Sequence, residues 1–105
     1  MGNVKATLVG VSNYDNPRIP DINACRNDIV EVKAALIKGL CISSQDIRLL
    51  GSSGRVNIKE LASELQIASL IVEPEDTYIF YFSGHGNNGT LALSEAVISV
   101  QEVIE

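Results

Sequence analysis

His85 is the single histidine of the chain and stands between two glycines in Ser83-Gly84-His85-Gly86. Glycines on either side let the backbone approach a substrate closely and let an imidazole project from a strand end into a cleft, which is where a general base is wanted. The competing reading is an ordinary loop histidine in a tight turn. Two cysteines, Cys25 and Cys41, are the candidate nucleophiles. They sit in no Cys-x-x-Cys or metal-ligand spacing, and they are too few for a disulfide framework, which fits a reducing compartment. With one histidine, no multi-histidine metal site can be built.

The segment that delivers His85, Thr77-Tyr78-Ile79-Phe80-Tyr81-Phe82, is the most strand-like in the chain, rich in β-branched and aromatic residues. Residues 4–11 (VKATLVGV) read as a buried first strand, closed by the turn-rich Ser12-Asn13-Tyr14-Asp15-Asn16-Pro17. From Asn23 the period becomes helical, with Cys25, Ile29, Val32 and Leu36 on one stripe and Gly39 as the expected stop. Residues 46–50 read as a second strand and Gly51-Ser52-Ser53-Gly54 as a turn. Asn57 caps a second helix with Glu60 expected to reach back, and Ile58, Leu61, Leu65, Ala68 and Val72 form its stripe. After the Asn87-Asn88-Gly89 turn, residues 90–93 read as a minor strand, and residues 99–105 as the start of a third helix. Strand, helix, strand, helix, strand predicts an α/β fold with a parallel sheet and right-handed crossovers. In the order second-first-third, the helices lie on opposite faces and the functional loops gather at the carboxyl ends of the strands, where His85 sits.

The chain has 105 residues, 46% hydrophobic and 20% charged, enough for one domain and not two. No apolar run approaches the roughly 20 residues of a membrane span, so a soluble protein is expected. Thirteen acidic against eight basic residues give a net charge of −5, which disfavours nucleic acid and anionic membrane as partners. The N-terminus shows no secretory signal, and Ala6 breaks the myristoylation pattern, so a cytoplasmic location is expected.

Taken together, ATLVGVSNY, DINACRNDI, DIRLL and DTYIFYFSGHG resemble the caspase and metacaspase superfamily of cysteine peptidases (peptidase C14), most closely its bacterial metacaspase-like branch. The resemblance implies a three-layer α/β/α caspase-like sandwich with a mainly parallel sheet, incomplete here at three main strands. Residues 1–105 would be the N-terminal, large-subunit part of the peptidase domain. His85 would be the general base for a cysteine thiolate, and the backbone N–H of Gly86 would stabilise the oxyanion. Ala24-Cys25-Arg26 echoes the caspase nucleophile signature, but in caspases the histidine precedes the cysteine by about 50 residues, and Cys25 precedes His85. Asn27 also replaces the expected glycine. Cys25 and Cys41 are therefore read as packing residues, and the nucleophile is expected from a C-terminal caspase-like segment or subunit carrying an Asp-x-Cys motif.

By the same resemblance, Asp28 and Ser83 line an acidic pocket for a substrate Arg or Lys, since a carboxylate pairs well with a guanidinium. Caspases bind Asp with an arginine about six residues before this aspartate, where this chain has Ile22. The other reading of Asp28 is a solvated residue in the first turn of a helix, favoured there by the dipole. Calcium-dependent metacaspases use carboxylates after the histidine turn, where this chain has only Glu95, while Glu73, Glu75 and Asp76 read as a solvated loop. No metal or cofactor is expected. The alternative to a peptidase is a degenerate caspase-like half domain that regulates a protease through its open sheet edge. A flavodoxin-like or receiver-type protein suits the topology but lacks a phosphate loop or acidic pocket after the first strand.

Overall fold

The computed structural model describes residues 3–87 and 89–99. Strand β1 (Val4–Gly10) leads through a long loop to helix α1 (Cys25–Leu40), then through a single 3-10 turn (Ser44–Asp46) to β2 (Ile47–Leu50). Helix α2 (Ile58–Ile71) returns to β3 (Thr77–Ser83), and a meander of β4 (Gly86–Asn87), β5 (Thr90–Ala92) and β6 (Val97–Ser99) follows. The main sheet has the order β2-β1-β3 with both pairings parallel, as the alternation predicts.

Because side chains alternate along a strand, β1 feeds two cores. Ala6 and Leu8 pack with Ile29, Ile42 and Ile47, and Val32 and Leu36 of α1 cover them. Val9 and Val11 pack with Tyr14, Val56 and Leu61, and Leu65 of α2 lies against that group. The helices thus cover opposite faces, which makes three layers. Leu8 and Ile29 are wholly buried. Each buried side chain of this size contributes about 1.5–3 kcal/mol, and Leu8→Ala would cost about 2–5 kcal/mol.

Three element ends differ from the sequence pattern. Gly39 lies inside α1, and Cys41 takes the left-handed cap position at φ 57°, its N–H bonded to the Leu36 carbonyl. Cys41 is exposed rather than packed. At the start of α2, Asn57 accepts the Glu60 N–H at 2.8 Å as expected, but among the described residues the Glu60 side chain does not reach back, and it is the Glu95 carboxylate between β5 and β6 that takes an N–H of this turn, that of Ile58. Ser99, expected to open a third helix, closes β6 opposite Thr90, because Ile98 alternates inward onto the α2-side core. The rest of that expected helix lies outside the described residues, as does Asn88 of the expected turn. Among the described residues, no helix is long and apolar enough to cross a membrane.

Candidate catalytic site

The loop of residues 12–22, at the carboxyl end of β1, is folded back on itself by its own polar groups. The Ile22 N–H donates to the Ser12 carbonyl at 2.8 Å, the Tyr14 N–H to Asp21 Oδ1 at 3.0 Å, and the Ile19 N–H to the Asn16 carbonyl at 3.0 Å. Its start is held by the Gly54 carbonyl, which accepts from both Ser12 and Asn13. Gly54 has φ +93°, and a Cβ there would collide with the Asn13 side chain, so the turn needs glycine. The result is that Tyr14 and the Pro20 carbonyl, from opposite ends of the loop, both face the turn that follows β3.

That turn is fixed at several points. The His85 N–H donates to Tyr14 Oη at 2.9 Å, and the Tyr14 hydroxyl donates onward to the Val11 carbonyl at 2.9 Å. The Tyr14 and His85 rings meet edge to face, with centroids 5.1 Å apart and planes at 62°. The His85 carbonyl accepts from the Ala92 N–H at 3.0 Å. A Cβ at Gly84 would lie 2.8 Å from Tyr14 Oη and 3.1 Å from the Phe82 ring, so this approach excludes any larger residue. Burial raises the Tyr14 pKa above its usual 10.0, and the phenol stays protonated through the neutral range.

His85 Nε2 lies 2.8 Å from the Pro20 carbonyl oxygen. A carbonyl can only accept, so the nitrogen facing it carries the proton. In the neutral imidazole the basic site is then Nδ1, which has no partner among the described residues. The ring is half-buried beside a cleft of about 290 Å³ lined by Arg18, Pro20, Gly86 and Val97.

Of the other expected site residues, Asp28 and Ser83 are brought together. The Ser83 hydroxyl donates to Asp28 Oδ2 at 2.7 Å, joining the end of β3 to the first turn of α1. Asp28 is half-buried, and the helix N-terminus favours its negative charge. Gly86 opens β4 opposite Leu91, where a Cβ would lie 2.9 Å from the Thr90 carbonyl. Among the described residues neither cysteine hydrogen-bonds to His85, although Cys25 lies near enough to Tyr14 to help raise the pKa of that phenol. Cys25 is buried at the start of α1, and Cys41 lies beyond the far end of that 16-residue helix, about 24 Å along its axis. Among the described residues, no three His, Cys, Asp or Glu side chains converge to hold a metal ion.

A family model, the caspase domain of Peptidase C14, matches residues 3–105. The chain belongs to this family. No curated protein and no solved structure matches it. Membership makes the chain a relative of proteases, and the α/β architecture of this caspase domain agrees with it. Sequence pattern leaves out two groups that the structure places against His85, Tyr14 and the Pro20 carbonyl. A backbone acceptor has no residue signature. Tyr14 does leave one faint trace, as the single aromatic of the loop of residues 12–22.

Proposed function

We propose that the chain is the histidine-bearing part of a metacaspase-like cysteine endopeptidase. The observation that carries this reading is the 2.8 Å contact of His85 Nε2 with the Pro20 carbonyl, which leaves Nδ1 as the base. Nδ1 removes the proton from a cysteine thiol, and the thiolate attacks the scissile carbonyl carbon. The Gly86 N–H helps to stabilise the oxyanion that forms, and the protonated His85 then gives its proton to the leaving amine. The thiol comes from a C-terminal caspase-like segment or subunit. β3 pairs only with β1 among the described residues, and its free edge suits strand addition by such a partner. The same edge would serve a half domain that only regulates a protease, but such a module has no use for an imidazole held in one tautomer.

The substrates of this reading are proteins with Arg or Lys before the cut. Asp28 presents one carboxylate oxygen to Ser83 and keeps the other for a guanidinium or ammonium group. The reading is tested on the complete protein with fluorogenic peptides ending in Arg, Lys or Asp. Cleavage after Arg or Lys and not after Asp is expected. Cleavage after Asp, or of none of the three, overturns it.

A further inference from the structure

Two contacts to His85 come from one loop, and they divide the labour. Pro20 meets the ring through a carbonyl, while Tyr14 meets the backbone N–H through its hydroxyl and the ring through its edge. A carbonyl can select a tautomer only if the ring is held at hydrogen-bonding distance and in line with it. Glycines flank His85, so the backbone of the turn has little stiffness of its own. The rigidity must come from outside the turn. Tyr14 supplies it through a relay in which the His85 N–H donates to Tyr14 Oη and the same hydroxyl donates to Val11, whose own N–H is bonded to the Ser83 carbonyl of β3. The relay therefore closes a ring from β3 through the end of β1 and back to the residue two beyond β3. Asp21 completes the frame, since its carboxylate holds the Tyr14 N–H one residue away from the Pro20 carbonyl.

We infer that Tyr14 is the positioning residue for His85: its hydroxyl fixes the histidine turn so that Nε2–H is committed to the Pro20 carbonyl and Nδ1 is left as the base. Tyr14 touches no reacting atom in this role and acts through His85. The inference rests on the assignment of His85 as the base, but its consequence is a tautomer, which exists whether or not any peptide is cut.

Because His85 is the only histidine, its ring nitrogens can be read without ambiguity by ¹⁵N NMR on this chain. At pH 9, where an imidazole is neutral, the wild type is expected to hold the Nε2–H form in excess of that in the free peptide Ser-Gly-His-Gly. Tyr14→Phe keeps the aromatic edge and removes only the hydroxyl, and its ratio is expected to move several-fold toward that of the peptide while amide signals remote from the turn stay in place. An unchanged ratio in a folded Tyr14→Phe overturns the inference. Should that variant not fold, the wild type decides: the His85 amide is expected to exchange with solvent at least about tenfold more slowly than in the peptide, and exchange at the peptide rate overturns it. Failure of peptide cleavage by the complete protein would remove the peptidase reading and leave the tautomer result standing. A peptidase indifferent to Tyr14→Phe in both ratio and rate would remove Tyr14 and leave the peptidase reading.

Discussion

The parallel sheet carries a polar cluster at each of its ends, and the two are satisfied differently. At the amino end, the Asp76 carboxylate accepts from the Asn3 and Glu73 N–H groups at 2.9 Å and from Lys5 Nζ at 3.1 Å. These bonds hold its pKa down to about 2, the backbone donors Glu73 and Asn3 first and Lys5 after them. Nearby, Arg48 Nε lies 2.6 Å from both Glu64 oxygens, and Tyr78 donates to Thr7 at 2.6 Å. These groups tie strands to helices and to one another. At the carboxyl end, His85 Nδ1 and one oxygen of Asp28 keep a free lone pair after their partners are counted among the described residues. The difference separates structural polarity from chemical polarity: a carboxylate with both oxygens engaged holds the fold, and a group with one atom left unengaged can act on a substrate.

Substitutions sharpen that contrast, because changes at the carboxyl end should move activity and changes at the amino end stability alone. Among these substitutions the largest effect on activity is expected for Asp28→Ala in the complete protein, since loss of the carboxylate proposed to meet a substrate cation costs cleavage after Arg about 10²–10³-fold in kcat/KM. A variant cleaving at the wild-type rate would return Asp28 to a plain helix-terminus role. Arg48→Met comes next. It strands the Glu64 carboxylate, only 4% exposed, and denaturant unfolding is expected to show a loss of about 2–3 kcal/mol, below the full cost of a buried pair because Arg48 is 47% exposed. Replacing both residues by apolar ones should restore most of it.

Tyr14→Phe is expected to cost about 1–2 kcal/mol in the same unfolding measurement, because the buried Val11 carbonyl and the His85 N–H each lose a partner. The smallest effect at neutral pH is expected for Asp76→Asn. Its sign follows from linkage: a carboxylate with a lowered folded pKa stabilises the fold above its unfolded value of 3.8, and that contribution is lost as pH falls through about 2. Wild type should therefore melt higher than Asp76→Asn at pH 6, and the gap should close between pH 4 and pH 2. A gap constant over that range would mean that Asp76 contributes by shape and not by charge.

The parallel strands and the two helix faces were legible because each rests on a pattern repeated along the chain, as in Ala6 and Leu8 against Val9 and Val11, whereas the order β2-β1-β3 follows from no such period. The pairing of Ser83 with Asp28 followed from family resemblance, and their 55-residue separation gives no local cue to it. Asp76 reads as a solvated acid among Glu73 and Glu75, because its partners Asn3 and Lys5 arrive from the far end of the chain and two of its three donors are backbone. The same physics hides Pro20. Cys41 is a different failure: a left-handed cap favours glycine, Gly39 stands two residues earlier, and the helix runs past it because its last turn leaves that position in ordinary helical backbone.

The role proposed for His85 is that of the base that makes a thiolate. Its most direct test is kcat/KM for an Arg-ended fluorogenic peptide with the complete protein, wild type against His85→Ala. Removal of the general base is expected to lower the rate by about 10²–10⁴-fold while the unfolding transition stays in place. Equal rates in the two proteins would contradict it.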